Sequence, residues 1–90
     1  MSRTAEDRLA IFLAIYNAAW RTDRVGLTDM EIANRTGLTG DTVRPRRGEL
    51  VKDGLVEDSS YKRSSNMGNP AVVWTLTDEG LRAAKELTDE

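Results

Sequence analysis

Ninety residues with 13 Lys and Arg against 15 Asp and Glu point to one domain with a small core and a formal net charge of -2. With no Cys and no His, the chain has no disulfide or thiol chemistry and none of the usual zinc ligand sets, and no acidic run has EF-hand spacing. No apolar run approaches the roughly 20 residues that a bilayer span requires, and the opening MSRTAEDR lacks the apolar stretch of a secretory signal. The expectation is a cytoplasmic chain without membrane, metal or cofactor, whose small core makes a dimer physically welcome.

Thr4 reads as a first helix cap, with Asp7 at the third helical position. Leu9, Phe12, Leu13, Tyr16, Ala19 and Trp20 then recur at helical spacing, which predicts a helix over about 5–21. Ile15 widens its apolar side, either as a broad core face or as surface for a second subunit. Trp20 is expected in the core or at that interface. A polar connection leads to Gly26 and Leu27, a candidate short strand.

The stretch 28–56, TDMEIANRTGLTGDTVRPRRGELVKDGLV, is the organising segment. Thr28 with Glu31 three positions later has the form of a capping box. The helix it starts, about 29–36, turns Ile32 and Ala33 inward. Gly37 ends it with an inexpensive left-handed position. After Leu38, Thr39 is a second cap for a helix over about 40–52, with Val43, Leu50 and Val51 inward, and Gly54 stops it. Two short helices joined by a tight Gly-containing turn, the second bearing several Arg, form a helix-turn-helix pattern. That pattern turns the question towards nucleic acid.

Pro45 falls at about the sixth position of the second helix, where it lacks an N–H for the Asp41 carbonyl, and Gly48 follows as another weak helix former. The expectation is a bend near Pro45 or a first turn separate from the rest. The pair is either a tolerated kink or a flattened outward face that lets a phosphate backbone come close.

A strand over about 55–59 precedes a polar, basic loop rich in Ser and Asn, and a second strand follows at about 71–76 with Val72, Val73, Trp74 and Leu76. The loop is long for a simple hairpin and reads as a projecting wing. Trp74 is expected in the core rather than as a stacking platform. Thr77 caps a closing helix over about 78–87, with Asp78 and Glu79 in its first turn, where the helix dipole favours acids. Charge is segregated along the chain. Residues 35–47 carry four Arg against one Asp, residues 59–76 carry Lys62 and Arg63 with no acid, and residues 77–90 carry five acids against Arg82 and Lys85. A basic middle and an acidic tail steer a duplex to one face, although the overall negative charge weakens non-specific affinity.

The resulting order resembles winged helix-turn-helix domains of the MarR and ArsR types of transcriptional regulator, an α+β fold with helices packed on a small antiparallel hairpin. Three pieces carry the likeness. Residues 28–38 resemble the supporting helix and turn, residues 42–56 the recognition helix with its KDGLV ending, and WTLTDEG at 74–80 the last wing strand running into the closing helix. The small size also resembles stand-alone winged-helix proteins of phages and mobile elements. The resemblance implies that the third helix enters the major groove, offering Thr39, Asp41, Thr42, Arg44, Pro45 and Gly48. Arg44 is the first choice for a base contact, since Arg pairs bidentately with guanine. Thr42 or Thr39 would bond phosphate or touch a thymine methyl, and Arg46 would meet phosphate. The wing would add Lys62 and Arg63 on the backbone or minor groove, with Ser64, Ser65, Asn66 and Asn69 on phosphate. The bland alternative for Arg44 and Arg46 is charge balance with Asp41 and Glu49, and for the wing a merely solvated surface. Arg47 departs from the family, which places an apolar residue there. It either snorkels past the core or turns towards DNA.

The leading expectation is sequence-specific binding of double-stranded DNA by a small regulator, as a homodimer through the first helix, the closing helix or both. The alternative is a winged-helix protein-interaction module in a replication, recombination or transcription assembly, which the net charge and acidic tail favour. An enzyme is not expected: there is no His or Cys base or nucleophile and no phosphate-loop glycine motif.

Overall fold

The computed structural model describes residues 4–21, 25–64 and 68–88. Among these the elements run α1 (Thr4–Tyr16) with a π-helical continuation (Asn17–Arg21), α2 (Asp29–Thr36), α3 (Gly40–Lys52), β1 (Val56–Ser64), β2 (Pro70–Leu76) and α4 (Asp78–Thr88). None of the helices is long and apolar enough to cross a membrane.

The core lies where α1 meets α2, α3, β2 and α4. Ile11, Phe12, Ile15 and Tyr16 supply one wall, and Leu27, Ile32, Val43, Leu50, Val56 and Ala84 the other. Removal of such apolar surface from water is the main stabilising term in so small a chain. Leu9, expected on the inward side of the first helix, is 44% exposed, and of the two places expected for Trp20, core or subunit interface, its 54% exposure excludes the core. The reason at Trp20 is the π turn. Its wider i→i+5 bonding changes the angular register, so Trp20 no longer sits beneath Tyr16. The Lys85 ammonium of α4 instead lies 4.8 Å from the Trp20 ring centre.

The α2–α3 pair is built by local chemistry. Glu31 N–H donates to the Thr28 hydroxyl at 3.2 Å, and Thr28 N–H donates to the Glu31 carboxylate at 2.9 Å, a complete capping box. Gly37, at φ 77°, closes α2 through its N–H to the Ala33 carbonyl. Thr36 then bridges the turn, its hydroxyl donating to the Ile32 carbonyl and accepting Leu38 N–H. Thr39 has the extended backbone of an N-cap but makes no side-chain cap bond; its hydroxyl meets that of Thr42 at 3.2 Å instead. α3 runs unbroken through Pro45, against the expectation of a separate first turn. Asp41 and Pro45 are both exposed, so water can serve the carbonyl that Pro45 leaves without a donor. At the far end, Gly54 N–H bonds the Val51 carbonyl and Leu55 N–H the Leu50 carbonyl, with Gly54 at φ 78°, a Schellman stop.

β1 and β2 pair antiparallel, from Val56 opposite Leu76 to Ser64 opposite Pro70. The hairpin is therefore longer, and its loop shorter, than the sequence suggested: Lys62, Arg63 and Ser64 belong to the ladder. The ladder slips between Asp58 and Lys62, where Ser59, Ser60 and Tyr61 stand opposite Val73 alone. Ser60 there takes φ 72°, held by its N–H to the Asp58 carboxylate at 2.8 Å. Such a bulge bends and twists the strand. The expected strand at Gly26 and Leu27 reduces to one antiparallel bridge, Leu27 to Trp74. Gly26 is required beside it, because a Cβ there would lie 1.9 Å from the Trp74 carbonyl oxygen. α4 starts at Thr77, whose hydroxyl accepts Gly80 N–H at 3.0 Å and donates to the Gly54 carbonyl.

Candidate nucleic-acid interface

The outward side of α3 carries Asp41, Arg44, Pro45 and Lys52, all exposed, with Val43 and Leu50 buried on the opposite side. Thr39 is exposed just before the helix and Thr42 is half-buried in its first turn. Among the described residues Arg44 has neither an ion pair nor a side-chain hydrogen bond, so its guanidinium is available to a ligand. Gly48 leaves a bare spot between Arg44 and Lys52: a Cβ there would meet nothing within 4 Å.

The other basic residues expected to contact DNA are differently placed. Arg46 pairs with Glu49 of its own helix at 3.1 Å, and Arg8 of α1 reaches the same carboxylate at 3.4 Å. Arg47 neither enters the core nor points outward. It donates from Nε and Nη2 to the two carboxylate oxygens of Asp29, at 3.0 and 2.7 Å. Its guanidinium carbon also lies 3.9 Å from the Trp74 ring centre. Its side chain is 15% exposed. A planar fork stacked on an indole and paired bidentately satisfies a charge at a site where the helix register asks for an apolar group. Arg63 of β1 turns back from the wing to an ion pair with Glu31 and approaches the Gly26 carbonyl at 3.5 Å. Lys62 is exposed and unpaired among the described residues, and Ser64 and Asn69 are exposed near the hairpin end. Ser65, Asn66 and Met67 lie outside the described residues.

Between α3, the start of α2 and the hairpin runs a groove of about 520 Å³, lined among others by Met30, Asn34, Arg44, Ser64 and Trp74. From the sequence, Glu31 has a capping role and Trp74 a place in the core, where it does pack half-buried. The structure also makes both, together with Asp29, partners of arginines. The signal was present in Arg47 itself: a charge on the inward spacing of one helix calls for an acid on a neighbouring element.

No protein-family model matches this chain, and no curated protein matches it. Solved structures do. A presumed DNA-binding protein of Ralstonia eutropha is similar with a TM-score of 0.70 at 21% identity, over 91% of this chain and 94% of that one. A mutant of ZitR from Lactococcus lactis gives 0.63 at 18% identity, over 89% of this chain and 49% of its own. MepR, a transcription regulator of the Staphylococcus aureus multidrug efflux pump MepA, gives 0.61 at 24% identity, over 93% of this chain and 54% of its own. The chain thus spans about half the length of ZitR and MepR. At these identities the likeness is one of fold, and with the helix-turn-helix and hairpin described above the fold is that of a winged helix-turn-helix.

Proposed function

We propose that this chain binds double-stranded DNA as a small transcription regulator, with α3 in the major groove and the hairpin end on the backbone or minor groove. The observation that carries the reading is Arg44, exposed and unpaired on the outward side of α3 while neighbouring arginines are engaged within the protein. An unpaired guanidinium at that place suits bidentate recognition of guanine. Thr39 and Thr42 bring hydroxyls to the start of the same helix, where the Gly40 and Asp41 N–H groups lack a side-chain cap and suit a phosphate oxygen. Lys62 would add a backbone contact from the hairpin. The fold is shared with proteins described as a DNA-binding protein and a transcription regulator, which supports the reading.

A homodimer through α1, α4 or both would set two α3 helices about one duplex turn apart. Leu9, Trp20 and Leu87 are exposed on those helices at 44%, 54% and 61% and suit such a contact. One observation favours the second reading, a protein-interaction module. Arg46, Arg47 and Arg63 are all paired internally, and the chain carries a net charge of -2, so the face is less cationic than its composition suggests.

Selection from a pool of random duplexes at two salt concentrations tests both. An enriched motif, with affinity for it reduced about tenfold or more by Arg44→Ala while the melting temperature holds, is the expected result. A two-fold symmetric motif is expected for a dimer. Absence of any enrichment at low salt overturns specific DNA binding and leaves the interaction module.

A further inference from the structure

We infer that Asp29 and Glu31, in the first turn of α2, are positioning residues that hold α3 and the wing at one fixed spacing through Arg47 and Arg63. The inference rests on the DNA-binding reading and deepens it. Residues two apart on a helix face different ways, so one turn of α2 reaches two neighbours. Asp29 takes the bidentate fork of Arg47 from α3. Glu31 takes Arg63 from β1 while the same carboxylate closes the capping box with Thr28 N–H. Arg47 in turn lies on the Trp74 ring of β2. The Trp74 backbone exchanges hydrogen bonds of 2.8 and 3.0 Å with Leu27, next to Thr28. The loop closes on itself: α3 to α2, α2 to the hairpin, and the hairpin back to α3 through Arg47 on Trp74.

The same contacts withdraw two arginines from the basic face. That gives the inference a sign. Were Arg47 and Arg63 phosphate ligands merely parked on acids, removing an acid would free them and tighten DNA binding. As positioning residues they do the opposite. Loss of the acid lets α3 and the wing move apart, and binding weakens without any lost phosphate contact.

The experiment compares Asp29→Asn, Glu31→Gln and Arg47→Gln with the wild-type chain. Affinity for the selected duplex is followed across a salt series, at a temperature where melting curves show every variant folded. Each variant is expected to bind about tenfold more weakly. The slope of log affinity against log salt should stay unchanged, because no phosphate contact is lost. A second measurement needs no DNA: a thermal double-mutant cycle of Asp29→Asn with Arg47→Gln, expected to be clearly non-additive. Tighter binding by Asp29→Asn overturns the inference. So does a slope reduced by about 0.9 in Arg47→Gln, the mark of one lost phosphate contact, or additivity in the cycle. If the wild-type chain itself selects no duplex, the DNA-binding reading falls, and the cycle still decides whether the fastening exists.

Discussion

An arginine on the inward spacing of a helix must find an acid, a ring or water, and Arg47 finds an acid and a ring at once. Arg44, three residues earlier and so about 60° round the same helix, has no partner among the described residues and stays exposed. Two arginines less than a turn apart thus take different parts, decided by what each meets on the neighbouring elements. Two glycines divide in the same way. A Cβ at Gly80 would lie 2.0 Å from the Leu55 carbonyl oxygen, backbone that cannot easily yield, whereas one at Gly48 meets nothing within 4 Å. Gly80→Ala is therefore expected to destabilise by about 1–3 kcal/mol. Gly48→Ala should stabilise by about 0.5–1 kcal/mol through helix propensity alone. Urea unfolding of the two variants should move their midpoints in opposite directions.

At the scale of elements, the two helices of the helix-turn-helix start with the same residue type and are capped differently. Thr28 closes a reciprocal capping box and is 6% exposed. Thr39 is exposed and spares its hydroxyl for Thr42. Thr28→Ala is expected to cost about 1–2 kcal/mol and Thr39→Ala only a few tenths, a difference that thermal melting of the pair would show. Equal losses would mean that Thr39 caps α3 after all. The hairpin has a comparable contrast. Its register holds at both ends and slips in the middle, where Ser60 takes a left-handed conformation that Gly adopts freely. Ser60→Gly should leave the fold intact and raise the unfolding free energy by about 1 kcal/mol.

For the whole molecule, charge distribution matters more than its sum. Among the described residues Lys62 on the wing side and Arg44 on α3 are unpaired, while three other arginines of the basic segments are neutralised internally. Lys62→Ala should leave the melting temperature unchanged and flatten the dependence of log affinity on log salt by about 0.9 per chain, as expected for one phosphate contact. Association belongs to this scale too. Trp20 projects from the end of α1 over Lys85 of α4, and with Val25 and Leu81 it lines a cleft of about 260 Å³. Trp20→Glu is expected to shift the chain towards monomer in sedimentation velocity, with little change in secondary structure. A wild-type chain that sediments as a monomer at every concentration would remove the dimer.

The order of elements and the winged helix-turn-helix fold follow from the sequence, because caps, glycine stops and helical spacing act over three to five residues and need no distant partner. Thr28 with Glu31, Gly37, Gly54 and Thr77 each do locally what their positions imply. The choice among basic residues was not legible in that way. Arg47, Arg63 and Arg44 look alike along the chain, and only the approach of α2 and β2 separates the two that are fastened from the one left open. The same holds for the wing, where Lys62, Arg63 and Ser64, which read as loop, are paired strand once β2 lies beside them. Local signals determined the frame. Contacts between residues 18 and 32 positions apart, from Asp29 to Arg47 and from Glu31 to Arg63, decided which side chains remain free to recognise anything outside it.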